Sequence, residues 1–99
     1  QMETQSNKTN PDSTSVCNTR YRVLLFNDPM NKRERVSTIL RQLAKLSKEK
    51  AHKVMMDAHK TGTGTVKEFK EQDQAESLCR ALKQEDLLSE VDKSYSTSI

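Results

Sequence analysis

Apolar residues along this chain fall in short bursts, and the spacing within each burst predicts a different element. Tyr21-Arg22-Val23-Leu24-Leu25-Phe26 is a continuous β-branched, aromatic and aliphatic run that stops at Asn27-Asp28-Pro29, the pattern of a buried strand ending in a turn. Val36, Ile39, Leu40 and Leu43 then recur at helical spacing, with Arg33, Arg35, Arg41 and Lys45 left for the wet side. Asn31-Lys32-Arg33-Glu34 reads as the capping box of that helix, with Asn31 at the N-cap. A second helix starts at Ser47, buries Ala51, Val54, Met55 and Ala58, and stops at Thr61-Gly62. The segment 63–69 is a weaker strand, Asp73-Gln74-Ala75-Glu76 opens a third helix with Ala75, Leu78, Cys79 and Leu82 inward, and 87–91 is a short closing strand.

The resulting order, β-α-α-β-α-β, predicts an α+β sandwich: a three-stranded sheet with three helices packed on one face. Residues 1–20 are rich in Gln, Ser, Asn and Thr and are expected to form a disordered N-terminal extension. The folded core is placed at 21–92 and a flexible tail at 93–99. No internal repeat occurs, and no Gly-rich phosphate loop follows the first strand.

Composition narrows the function classes. A chain of 99 residues with 32% apolar residues and no Trp builds one small domain and no large buried active-site cavity. No apolar stretch reaches bilayer length, so no membrane partner is expected. No secretory signal is visible, while a start at Gln1 leaves room for a removed targeting peptide. Cys17 and Cys79 lack metal-ligand spacing and read as two free thiols in a reducing compartment. Residues 21–60 carry ten basic and four acidic side chains, whereas 61–99 carry five basic and eight acidic. Such asymmetry points to charge-steered docking on a protein partner. Aromatics interleaved with the basic residues are missing from 31–60, which argues against nucleic acid.

The candidate chemistry lies where the first strand stops. Asn27 and Asp28 offer acceptor oxygens, and a neutral His59, near the end of the second helix, offers an acceptor nitrogen. Three converging acceptors suit a free ammonium group, which has three donors and no acceptor. Taken singly, Asn27 and Asp28 before Pro29 are good turn formers, and His59 suits a helix C-terminus. Together, with His59 continuing an apolar helical stripe, they form a candidate site. Catalysis is not expected: Cys79 has no visible base, and no nucleophile accompanies the pair Asp28 and His59. His52 and His59 stand two helical turns apart, too far for one metal ion, and neither metal nor cofactor is expected.

The stretches Leu25-Phe26-Asn27-Asp28, Met55-Met56-Asp57-Ala58-His59 and Leu87-Leu88 resemble the motifs of the ClpS adaptors, which deliver proteins with destabilising N-terminal residues to a Clp AAA+ unfoldase. The resemblance spans about residues 21–92. It implies that Asn27, Asp28 and His59 bind the α-ammonium of the substrate. It further implies that Val36, Met55, Ala58 and Leu87 line the pocket for the first side chain, with Arg33 as its gate. By the same resemblance Glu71, Asp73 and Glu76 form an unfoldase-docking surface, and residues 1–20 engage the unfoldase during hand-over. The implied partners are an unfoldase of ClpC or ClpA type and substrates bearing bulky hydrophobic N-degrons, met by a monomer.

Three positions depart from the family pattern. Pro29 replaces a second Asp of bacterial members, Arg33 stands where they carry a Met gate, and Ala58 replaces a larger aliphatic residue, which enlarges the pocket. The stretch Asn31 to Glu34 is closest to plant chloroplast members, so plastid stroma is the expected location, with bacterial cytoplasm as the alternative. Two other functions fit the residues: a modulator that docks on the unfoldase without reading N-degrons, and a small basic nucleic-acid or ribosome-associated domain.

Overall fold

Residues 21–26 form the second half of the central strand, and the other elements are placed around it. The computed structural model describes residues 16–98, with side chains from 19 to 94. Strand β1 (Val16–Phe26) leads into α1 (Arg33–Leu43) and α2 (Lys48–Thr61), then β2 (Thr63–Phe69), α3 (Gln72–Gln84) and β3 (Ser89–Ser98). The sheet order is β2-β1-β3, and both pairings are antiparallel. Tyr21, Val23 and Leu25 share one face of β1 by the period of two, and Ser89 and Val91 lie beside Leu25 and Val23 in register. The helices cover that face. Val23, Val54, Val66, Leu40 and Leu82 are at most 1% exposed, and each such burial is worth roughly 1.5–3 kcal/mol.

Strand β2 changes parity partway. Gly64 lies opposite Leu25 and Thr65 opposite Leu24, but Lys67 lies opposite Val23, so the register skips Val66. This bulge lets Gly64 and Val66 point inward at one end while Phe69 packs against the core at the other. Gly64 is where α2 comes closest to the sheet: a Cβ there would lie 2.4 Å from the carbonyl oxygen of Val54. Only glycine permits that approach.

Strands β1 and β3 are both longer than the hydrophobic pattern predicts. Residues 16–20, placed in the disordered extension, open β1, and 93–98, placed in the flexible tail, extend β3 through pairs such as Thr19 with Tyr95 and Arg20 with Ser94. Main-chain hydrogen bonds pair these residues without any apolar pattern. Arg22 and Asp92, opposite each other, add an ion pair. Residues 1–15 and Ile99 lie outside the described residues.

The helix starts also shift. Ser47 caps α2 as expected, its hydroxyl accepting from Lys50 N–H at 3.1 Å. In contrast, α1 is preceded by Lys32 with no side-chain cap, and the side-chain oxygen of Asn31, the acceptor a cap would use, takes Arg35 Nη1 at 2.8 Å. Helix α3 begins at Gln72, which places Asp73 inside the first turn and not at the N-cap. Gly62, at φ 96°, closes α2 in the left-handed conformation, with its N–H on Ala58 O. Leu43, expected inward, is 37% exposed, and the next residue, Ala44, takes the buried position at 2%.

Candidate functional site

Two backbone bonds at the end of β1 assemble the site. Phe26 N–H donates to Leu88 O at 2.9 Å, and Asn27 N–H donates to Gly62 O at 3.1 Å. The second bond ties the strand end to the C-cap of α2, and His59 lies in the last turn of that helix. The left-handed turn at Gly62 therefore brings Asn27 and His59 together.

The chain then makes a tight turn at Asp28. One carboxylate oxygen accepts from Met30 N–H at 2.8 Å, and the other accepts from the side-chain amide of Asn31. This is the turn chemistry available to an Asp before Pro. It uses one lone pair on each oxygen and leaves the rest for a ligand. Asn31 also donates to Asp86 O at 3.0 Å and accepts from Arg35 Nη1 at 2.8 Å. Arg35 continues the link to Glu85, through its carbonyl at 3.0 Å and its carboxylate at 3.4 Å. The Asn31 amide, followed by the backbone N–H groups of Met30 and Asn31 and the nearby Arg35 charge, holds the Asp28 carboxyl below its ordinary value. Partial desolvation opposes that shift and does not overcome it.

Behind these groups is a cavity of about 40 Å³ between β1, α1 and α2. Asn27, Asp28 and His59 border it with Arg33, while Val36, Met55 and Ala58 line it and are at most 7% exposed. The structure thus gathers six of the seven expected binding residues and the expected gate around one hollow. His59 differs from expectation in one respect. It lies exposed at the rim and does not continue the buried stripe, because α2 ends beneath it.

Leu87 does not line this cavity. It is 2% exposed and borders a separate hollow with Phe26 and Leu88. Leu25, Phe26 and Asn31 line the cavity and were not among the expected site residues. Leu25 belongs to the apolar run of β1, and the spacing of Asp28 and Asn31 is itself a turn signal, masked here by the capping-box pattern.

A wider groove of about 870 Å³ opens from the same rim and runs between α1 and α2. Glu71 and Asp73 are exposed at the start of α3, and Glu76 is half-buried and accepts from Gln72 at 2.8 Å. Cys79 is a buried free thiol. Among the described residues, no three His, Cys, Asp or Glu side chains are grouped to hold a metal ion. None of the described helices is long and apolar enough to cross a membrane.

Comparison with known proteins decides the family. The profile of the ATP-dependent Clp protease adaptor protein ClpS matches residues 17–90. The chain belongs to the ClpS family. It is 41% identical over 83 residues to the ClpS adapter of Synechococcus sp. strain CC9902, covering 83% of this chain and 79% of that protein. The ClpS adapter of Synechococcus elongatus is 40% identical over 74 residues, covering 74% and 77%. Among solved structures, Agrobacterium tumefaciens ClpS2 bound to L-phenylalaninamide superposes with a TM-score of 0.70 at 29% identity, over 78% of this chain and 99% of that one. The ClpS match covers every residue that borders the small cavity.

Proposed function

We propose that this ClpS-family chain is a non-enzymatic adaptor that binds proteins bearing bulky hydrophobic N-terminal residues and delivers them to a Clp AAA+ unfoldase. The observation that carries the proposal is the grouping of Asn27, Asp28 and His59 on the rim of one cavity walled by Val36, Met55 and Ala58. Asp28, ionised at neutral pH, supplies the charge opposite the ammonium, and Asn27 and His59 supply neutral acceptors that orient it. The first side chain enters among Val36, Met55 and Ala58, with the stem of Arg33 closing over it. L-phenylalaninamide, bound by the Agrobacterium relative, has this chemistry: a free α-ammonium beside an aromatic side chain.

Fluorescence anisotropy with peptides differing only in residue one (Phe, Leu, Trp, Arg or Gly), each free and N-acetylated, tests the proposal. Saturable binding of the free hydrophobic peptides, abolished by acetylation, is the expected result. No binding to any peptide would replace this function with that of a modulator docked on the unfoldase.

Glu71, Asp73 and Glu76 are assigned to the unfoldase contact, supported by the exposure of the first two and by family membership. The partner is assigned as an unfoldase of ClpC or ClpA type, met by a monomeric adaptor. Plastid stroma is retained as the location on the likeness of residues 31–34 to plant members. Bacterial cytoplasm fits the cyanobacterial relatives equally well.

A further inference from the structure

The groove beyond the ammonium site has an uneven charge distribution that the binding of a first residue does not use. Four cations line it, Lys32, Arg33, Arg41 and Lys48, against two carboxylates, Asp28 and Glu34. None of the four is paired with a carboxylate among the described residues. Both acids lie at the end shared with the small cavity. The opposite end has Arg41, Lys48 and His52 and no acid.

The direction of the groove follows from its helices. Arg33 and His59 both border the small cavity, while Arg41 and Lys48 flank the short connection from α1 to α2. From Arg33 to Arg41 the helix rises about 12 Å, at about 1.5 Å per residue. An extended peptide, at about 3.3 Å per residue, covers that distance in about four residues. A chain anchored by its ammonium at Asp28 therefore meets Arg41 and Lys48 near its third to fifth residues.

We infer that the groove between α1 and α2 reads the third to fifth residues of a bound N-terminus and selects acidic side chains there. The inference rests on the degron reading above and specifies its substrate class. The complementarity is end to end: positive ammonium at the acidic end, negative side chains at the basic end. A nucleic acid fits less well, because no Phe, Tyr or Trp lines the groove for base stacking, and a polyanion has no use for the carboxylates at its near end.

The test is an anisotropy titration of the full chain with three peptides of equal length, Phe-Ala followed by Asp-Glu-Asp, by Ser-Gly-Ser or by Lys-Lys-Lys, each free and acetylated. Exposed ion pairs are individually weak, so the acidic peptide is expected to bind about five- to tenfold more tightly than the basic one at low salt. Raising salt to about 0.5 M should bring the ratio close to one. The double variant Arg41→Glu and Lys48→Glu should invert it, a readout that general destabilisation does not produce. Equal affinities across the three free peptides would overturn this inference and leave the degron reading standing. Failure of all three, the neutral one included, would remove both. Acetylated acidic peptide binding as tightly as the free form, or oligouridylate displacing the peptide at lower concentration than the peptide itself, would make the groove a general polyanion surface and overturn the inference.

Discussion

Replacing Asp28 by Asn tests whether the carboxylate binds a ligand or merely shapes a turn. The substitution removes one charge and keeps the side-chain shape. Its oxygen still accepts from Met30 N–H, now at 2.8 Å from Asp28 Oδ1. The other position becomes an amide that faces the amide of Asn31, so one partly exposed bond is lost. A net hydrogen bond of this kind is worth roughly 0.5–1.5 kcal/mol, towards the low end at a wet site. A loss of about 1 kcal/mol lowers the melting temperature of a domain this size by about 4–8 °C. A hydrogen bond from an ammonium to a carboxylate is worth about 1.5–3 kcal/mol. Since 1.4 kcal/mol is tenfold in affinity, peptide binding should weaken by at least about tenfold.

Two measurements decide between the roles: anisotropy with a free Phe-peptide and a thermal melt of the unliganded chain. A large affinity loss with a small melting shift is the expected outcome. An affinity loss below about threefold would mean that Asp28 does not hold the ammonium. A melting drop large enough to unfold the chain under the binding conditions would make the carboxylate structural and leave it no role in holding a ligand.

Four further outcomes are expected. Asn31→Ala removes the main cause of the low Asp28 titration, so NMR should show that titration moving up towards the ordinary carboxylate value; no movement would mean that the turn N–H groups alone hold it. Because the folded carboxyl titrates below its unfolded value, its contribution to stability is complete above the ordinary value of 3.8 and is lost as pH falls through the depressed folded value. Denaturation midpoints should therefore decline in that acid range, and less steeply in Asp28→Asn. Ala58→Leu puts a larger side chain into a cavity of about 40 Å³ and should abolish binding of Phe-peptides, while overpacking destabilises the chain by about 1–3 kcal/mol; retained affinity in the folded variant would place the first side chain elsewhere. Gly64→Ala sets a Cβ 2.4 Å from Val54 O and should destabilise by about 2–3 kcal/mol in urea titrations, whereas a neutral result would mean that α2 shifts freely on the sheet.

How much the sequence revealed depended on whether a residue's role was apolar. Val36, Ile39 and Leu40, and Ala51, Val54, Met55 and Ala58, are buried as their spacing predicts, because helical periodicity is a direct consequence of one-sided burial. The polar ends of β1 and β3 gave no such signal, since their pairing depends on main-chain groups present at every residue. Strand β2 read weakly because the bulge at Val66 reverses its inward parity, so no single period of two fits 63–69. Asn31 matched a capping pattern but is held by Asp28 and Asp86. Nothing local shows that its amide will donate to a carbonyl 55 positions away.

The same distinction explains the site. Asn27, Asp28 and His59 were legible as a set of acceptors, and the ClpS motifs fixed which apolar residues to expect beside them. Which buried leucine lines the cavity was not legible, since Leu25 and Leu87 are equally buried at 2% and differ only in which hollow they border. That choice is made by the backbone. Gly62 turns left-handed, offers its carbonyl to Asn27 N–H and so places the strand end against the last turn of α2. The three acceptors therefore converge because a helix cap and a strand terminus share one hydrogen bond. A chain with Asn, Asp and His at the same positions but no such bond would present three ordinary surface residues.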